Sequence, residues 1–360
     1  MTSCGPLTLP LGMGGFMQRG WNLINPRWHR HRGARLRNAF FFFAFSFALA
    51  PAAMADDCAF IRERLSRATA GETVSIPSGA FTCDEPIVLN RDGVSLRGAT
   101  RDSTTLRLAA GANSPLIILG NLQNAPALVR DIGVSNLTLD GNMDQQPTEC
   151  WGGDCGGNPL DNGRNDIRNN AITVRGAINA KIANVRAFNA RSGGLVTERG
   201  TRGLRVANFE AHDNFFDGLA GYDTEGSLFS GIYLHHNHYA GISVDRNFSR
   251  NQFEDVLIVK NGDVGIFARW GEENSFSRLV VQANGSHGIY LAHDGGASSC
   301  ATSYQFELAD VLGNGGYGLW FNDPVCTGTN FVNSRFFENT SGCHHVAEGG
   351  SVTFSNTACR

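Results

Sequence analysis

From about residue 190 onward, hydrophobic and polar positions alternate in short runs, and Gly, Asn or Asp closes each run. One frame, Asn-x-x-x-Gly-(Ile/Leu), recurs: NFFDGL at Asn214, NHYAGI at Asn237, NGDVGI at Asn261, NGSHGI at Asn284 and NGGYGL at Asn314. NARSGGL at Asn189 fits with one extra residue, and NTSGC at Asn339 is a worn copy; the successive Asn-to-Asn steps are 25, 23, 24, 23, 30 and 25. A second frame precedes each Asn, as in NQFEDVLIVKN and NSFSRLVVQAN. Alternation with period two predicts strands, and no copy holds an amphipathic stretch long enough for a helix. A repeat of ~24 residues is too short for a four-stranded propeller blade of ~40, but it suits a coil of two or three short strands. The expected architecture is therefore all-β, a parallel β-helix whose coils bury a core only by stacking.

This architecture gives the repeated Asn a structural task. Stacked at one turn of successive coils, Asn214, Asn237, Asn261, Asn284 and Asn314 can hydrogen-bond one another and the turn backbone. It also fixes the faces. The residue after each repeated Gly is Leu195, Leu219, Ile242, Ile266, Ile289 or Leu319, always aliphatic and so inward. The second position after Gly then points outward: Val196, Ala220, Ser243, Phe267, Tyr290, Trp320. So does the fourth: Glu198, Tyr222, Asp245, Arg269, Ala292, Asn322. The fifth, at the strand end, is Arg199, Asp223, Arg246, Trp270, His293 or Asp323. With coils ~4.8 Å apart, one outer face should carry a polar ladder beside an aromatic strip.

The first 55 residues have a different character. Basic RHRGARLRN is followed by apolar AFFFFAFSFALA and by AMA before Asp56, the pattern of a secretory signal peptide with a long basic leader. Met13 and Met17 are alternative starts, and an uncleaved anchor is the competing reading of the apolar run. Residues 56–360 are expected to form a single domain that opens with a helix over residues 58–69, capping the solenoid. Without residues 1–55, 24 basic residues face 33 acidic ones, and Lys181 and Lys260 are the only lysines. That balance argues against a nucleic-acid partner. Cys4 leaves with the leader, and the remaining eight cysteines suggest four disulfides by proximity: Cys58–Cys83, Cys150–Cys155, Cys300–Cys326 and Cys343–Cys359. A periplasmic or extracellular monomer is expected, with no membrane contact after cleavage.

The order of a short helix, AGETVSIPSGAF, GVSLRG and NLTLDGN resembles the pectin-lyase-like right-handed β-helix proteins over nearly the whole mature chain. Within them the pattern is most similar to the mannuronan C5-epimerase module, through LDGN, a long loop, AHDNFFDGLAGYD, NHYAGISV and NGDVGIFARWG. That family carries a Tyr-Gly-Phe-Asp-Pro-His motif where this chain has Gly193, Gly194, Leu195, Val196, Thr197 and Glu198. A further acidic residue of the family falls on Tyr222, beside Asp223. The motifs of polygalacturonases and of one group of pectate lyases are missing.

Exposed rings suit the apolar faces of sugars, and arginines suit uronate carboxylates. The expected function is binding and modification of an acidic polysaccharide, by uronan lyase or C5-epimerase chemistry. The rival is a non-catalytic glycan-binding or matrix β-helix, in which pairs such as Asp245 with Arg269 only shield the sheet. The candidate catalytic set is Glu198, Tyr222, Arg246 and Arg269. The candidate substrate contacts are Asp223, Asp245, Phe267, Trp270, Tyr290, His293 and Trp320. No cofactor is expected. Two cation sites are alternatives to this: Ca²⁺ at Asp140, Asp144, Asp161 and Asp166 in the long Gly-rich loop that also holds Trp151, and a metal at HHNH, where His236 and His238 share a face without a third ligand.

Overall fold

The computed structural model describes residues 56–123, 127–146, 160, 167–292, 300–322 and 326–360. The expected leader lies outside these residues, as do Cys150, Trp151, Cys155, Asp161, Asp166, His293 and Asp323.

Each repeat forms one coil. Gln252–Val259 is a long strand, Asn261 stands in the turn that follows, Ile266–Arg269 is a short strand, and Gly271–Glu272 leads on to the next long strand, Ser275–Gln282. Equivalent strands of successive coils pair in parallel, with Phe253 opposite Phe276 and Ile266 opposite Ile289. The long strands lie in a 15-stranded sheet, the short ones in a 10-stranded sheet, and the connecting pairs in sheets of four and two strands. Most long strands bend at one left-handed residue, such as Asn184, Asn208, Gly231, Asp255, Arg278 or Leu308, so each covers two sides of its coil.

The core is a stack of like on like. Phe229, Phe253, Phe276, Phe306, Phe331 and Phe354 run in register, with successive ring centroids 4.5, 4.5, 5.1, 4.5 and 5.6 Å apart. The aliphatic column after the repeated Gly is wholly buried from Leu195 to Leu319. The helix Ala59–Arg67 buries Ile61 and Leu65 against the first strands and covers that end of the core. Three of the four expected disulfides form, Cys58–Cys83, Cys300–Cys326 and Cys343–Cys359, with Cα atoms 5.0, 5.2 and 5.7 Å apart. Among the described residues no helix is long and apolar enough to cross a membrane.

The Asn column is present and longer than expected at one end. Nδ2 of Asn214, Asn237, Asn261, Asn284 and Asn314 each donates to Oδ1 of the next Asn, at 2.8, 2.9, 3.0, 3.0 and 2.9 Å, and the last acceptor is Asn339. The worn copy is thus a full member. Asn189 is not. Its extra residue leaves it left-handed and bonded to Asp140, and Ala190 takes the ladder position, donating its N–H to Asn214 Oδ1. A second column was only partly visible in sequence: Asn251 Nδ2 donates to Asn274 Oδ1, and Ser227 N–H to Asn251 Oδ1.

The columns explain the repeated glycine. A Cβ on Gly265 would overlap the Val281 methyl and lie 2.6 Å from Gly288 O and 3.0 Å from Asn284 Nδ2. The next coil and its Asn press directly on this backbone, so no side chain fits.

Asn261 receives the Asn237 N–H and Nδ2 and donates to Leu234 O. Leaving such buried groups unpaired costs ~1–3 kcal/mol each. Asn261→Ala should therefore lower unfolding free energy by ~2–5 kcal/mol, measured by chemical denaturation. A loss below ~1 kcal/mol would show that the column does not hold the coils together.

Candidate functional site

The positions that the alternation expects outward on the short-strand sheet fall in register, although Thr173, Arg175, Ala220, Asp245 and Ala292 are buried. Pairing sets Thr173, Val196, Ala220, Ser243, Phe267, Tyr290, Trp320 and His345 in one row. Two positions on, a second row runs Arg175, Glu198, Tyr222, Asp245, Arg269 and Ala292.

The second row has a symmetric charge pattern centred on a phenol. Arg175 is fully buried, and its Nε lies 2.7 Å from Glu198 Oε1 as a contact ion pair rather than an aligned hydrogen bond. Its Nη1 donates to Leu122 O at 3.1 Å. On the other side Arg269 Nε donates to Asp245 Oδ2 at 3.0 Å, and its Nη2 reaches the same oxygen. Tyr222 stands between the two clamped carboxylates. Burial pushes its phenol up to about 12, and Asp217, Asp245 and Glu198 add to the effect while Arg168 opposes it. At neutral pH Tyr222 is therefore a proton donor.

Asp217 belongs to neither row. It precedes the repeated Gly218, in the turn that leads into the strand Leu219–Tyr222. Ala240 N–H donates to its Oδ1 at 2.9 Å. Burial is the main reason its carboxyl rises to about 7; the charge of Asp263 adds to this, and Arg168 offsets part. Asp263 is itself raised by burial. Asp217 and Tyr222 flank the two ends of the strand Leu219–Tyr222 and influence each other electrostatically, with proton affinities held far apart, one near neutrality and one far above it. Such pairs mark acid–base sites.

Aromatic rings border this cluster. Phe216 and Tyr239 lie 4.9 Å apart, and Phe215 stacks on His238 at 5.4 Å with Arg191 over its other face. Along the helix axis, His287, Trp320 and His345 stack at 4.9 and 4.3 Å, with Tyr290 and Tyr317 beside them. Asn322 Nδ2 donates to the Tyr290 hydroxyl at 2.8 Å.

The remaining expected residues are placed less centrally. Asp223, Arg246 and Trp270 are left-handed turn residues after the strand; Asp223 and Arg246 are exposed, and Trp270 is half-buried. Arg246 N–H donates to Asp245 Oδ1 at 2.8 Å. Of the proposed Ca²⁺ ligands within the described residues, Asp140 is buried and bonded to the Asn142 N–H and Asn189, and Asp144 is exposed. His236 is in a left-handed turn, and His238 stacks on Phe215, so the two do not gather.

Arg175, Asp217 and Arg168 were missed in the sequence. Asp217 carried a signal, since the position before the repeated Gly is Gly193, Asp217, Ala240, Val264, His287 and Tyr317, with a single carboxylate. Arg175 ends a strand, Ile172–Arg175, whose coil lacks the Asn frame, so the frame could not find it.

A family model for the right handed beta helix region matches residues 134–304. The A-module of the Azotobacter vinelandii mannuronan C-5 epimerase AlgE4 is similar in structure, with TM-score 0.60 and 16% identity over 84% of this chain and 92% of that one. The periplasmic alginate epimerase AlgG has TM-score 0.48 and 14% identity over 80% of this chain and 84% of that one. Gene product 12 of bacteriophage phi29, in its pre-mature form, has TM-score 0.48 and 13% identity over 84% of this chain and 49% of that one. No curated protein matches the chain by sequence. The fold is the right-handed parallel β-helix, as the pectin-lyase-like resemblance implied.

The raised Asp217 carboxyl has a consequence for stability. The unfolded chain releases this proton near the ordinary aspartate value of ~3.9, and the folded chain keeps it until about 7. Between these values the folded state binds more protons, so stability falls as pH rises through that window. The full penalty is on the order of 4 kcal/mol and is complete above pH ~7. Asp217→Asn should raise the melting temperature at pH 8 and change it little at pH 4. An equal shift at both pH values would contradict the burial of a proton-holding carboxyl.

Proposed function

We propose that the protein acts on an acidic polysaccharide, abstracting the proton α to a uronate carboxylate as a lyase or a C5-epimerase does. The observation that carries this reading is the combination of Tyr222 on the short-strand face and Asp217 in the turn before that strand, electrostatically coupled and bordered by aromatic rings. A base poised near neutral pH and a donor that never ionises there are the two groups this chemistry requires.

In the proposed reaction Asp217, once ionised, takes the C5 proton, and charge accumulates on the sugar carboxylate. Arg269 and the exposed Arg246 meet that carboxylate. Tyr222 supplies the balancing proton. If it goes to the oxygen on C4, the C4–O bond breaks and a C4–C5 double bond forms. If it returns to C5 from the opposite face, the sugar is inverted and the chain stays whole. Asp217 then releases its proton to solvent, and Tyr222 regains one from solvent, which restores both groups. Glu198 was expected in the catalytic set; its ion pair with Arg175 suits it better to positioning Tyr222. Trp320, Tyr290 and Phe267 would stack sugars further along the chain. The three disulfides support export to an oxidising compartment, with residues 1–55 as the signal. The fold is also the one on which the AlgE4 epimerase module is built.

A second reading is favoured by one feature. The Glu198 and Asp245 charges are both matched by arginines within the sheet, as in a non-catalytic binding wall.

Incubation with a panel of polyuronates separates the readings. Unsaturated uronate absorbance indicates a lyase, and solvent deuterium at C5 an epimerase. Turnover should rise with pH through about 7 as Asp217 ionises. Tyr222→Phe and Asp217→Asn should each lower it ~10²–10⁴-fold with binding retained. Binding without turnover on any polyuronate selects the second reading. Turnover at the wild-type rate in both variants overturns the assignment of acid and base.

A further inference from the structure

The outward face of the long-strand sheet carries a cluster that the reading above does not use. Glu210 and His212 lie two residues apart on Arg205–His212 and therefore share a face. The next coil's strand, Leu228–His235, sets His235 beside His212. One ligating atom from each of Glu210, His212 and His235 lies within 4.8 Å of the others. Among the described residues this is the one group of three such side chains so placed.

We propose that Glu210, His212 and His235 bind a divalent transition-metal ion of the Zn²⁺ type, with one coordination position left open. Two imidazoles and a carboxylate form a donor set suited to that class rather than to Ca²⁺ or Mg²⁺. Glu210 Oε1 and His235 Nε2 are 3.3 Å apart, close to the edge of about 3.4 Å in a tetrahedron with ligands at ~2.1 Å. A ligating nitrogen of His212 lies within 4.8 Å of both.

The surrounding groups orient the ligands as outer partners of a metal site do. Asp213 Oδ2 lies 2.6 Å from His212 Nδ1, which fixes the proton there and leaves Nε2 to bind. His236 Nδ1 engages His235 Nδ1 at 2.8 Å, so Nε2 again faces inward. Arg186 and Arg101 both hold Glu210 Oε2, at 2.9 and 3.5 Å, and leave Oε1 toward the histidines. Asp102 pairs with Arg186 at 3.4 Å. Three carboxylates thus face two guanidiniums, and the site remains attractive to a cation. Phe188 stacks on His212 at 5.2 Å and Tyr233 on His235 at 4.1 Å, walling the cluster. It opens into a surface depression of about 430 Å³, which has room for water or a small anionic group at the open position. The ligands come from neighbouring coils, so the ion would also pin one coil to the next.

The sequence pointed to HHNH for a different pair. His236 and His238 were the expected candidates, yet His235 is the member that meets partners from the preceding coil.

The test uses the untagged full chain, stripped with chelator, dialysed and titrated with Zn²⁺ alone by calorimetry. One ion per chain should bind, and the melting temperature should rise. Co²⁺ should give the visible absorption of a low-symmetry nitrogen–oxygen site, a readout independent of any variant. Glu210→Gln and the double variant His212→Ala with His235→Ala should each weaken binding at least tenfold. Asp213→Asn should weaken it ~10-fold through His212, and His238→Ala should leave it unchanged. The proposal is overturned if wild-type protein takes up no Zn²⁺ at micromolar concentration. It is equally overturned if the double variant, folded by circular dichroism, binds as wild type does.

Discussion

The fold depends on a buried amide column. Each Asn from Asn214 to Asn314 accepts at Oδ1 from the coil before it and donates from Nδ2 to the coil after it, and its neighbours are out of reach of water. An amide has both a donor and an acceptor, so the same residue can repeat without end. A carboxylate or a hydroxyl in its place would break the chain of bonds or leave a group unpaired. The column sets the register, the register stacks the six phenylalanines, and the close approach of coils demands the glycine four residues on.

Fixed register decides what the outer faces can carry. Side chains of successive coils stand about 4.8 Å apart, close enough that like charges repel and opposite charges pair. The exposed ladders follow this rule simply, with Arg278 on Asp255 and Arg335 on Asp310. The short-strand face departs from it at one place. Between Arg175–Glu198 and Asp245–Arg269 stands Tyr222, and the charge of Asp217 acts on it from the turn. Burial there works against charge rather than for it, which separates this cluster from a decorative ladder. The long-strand face departs from it at Glu210, His212 and His235, where the same stacking brings a carboxylate and two imidazoles together.

The sequence revealed the fold because the fold is periodic. Strands, the inward aliphatic column, the Asn column and three disulfide pairs all follow from repeated positions and spacing. The failures occur where the period breaks. Asn189 looked like a ladder member until its extra residue moved it out, and Asn339 looked worn although its amide was in place. The site was only half legible for the same reason. Glu198, Tyr222, Asp245 and Arg269 lie at one repeated offset and could be listed from alternation. Arg175 sits on a coil without the frame, and Asp217 sits at an offset where only one copy is charged. The Glu210–His212–His235 cluster required register between strands 23 residues apart, which brings His235 beside His212 and Glu210 of the preceding coil, a pairing that the run HHNH does not show.

The proposed chemistry depends most heavily on a carboxyl whose proton affinity burial raises to about 7, electrostatically coupled to a phenol that stays protonated. Carbon-13 NMR of protein labelled at aspartate carboxyls, with Asp217 assigned through Asp217→Asn, measures that directly. A titration midpoint near 7 is the predicted result. A midpoint near the ordinary aspartate value of ~3.9 would mean that Asp217 is solvated and already charged, and the short-strand face would then lack the poised base on which the proposed chemistry depends.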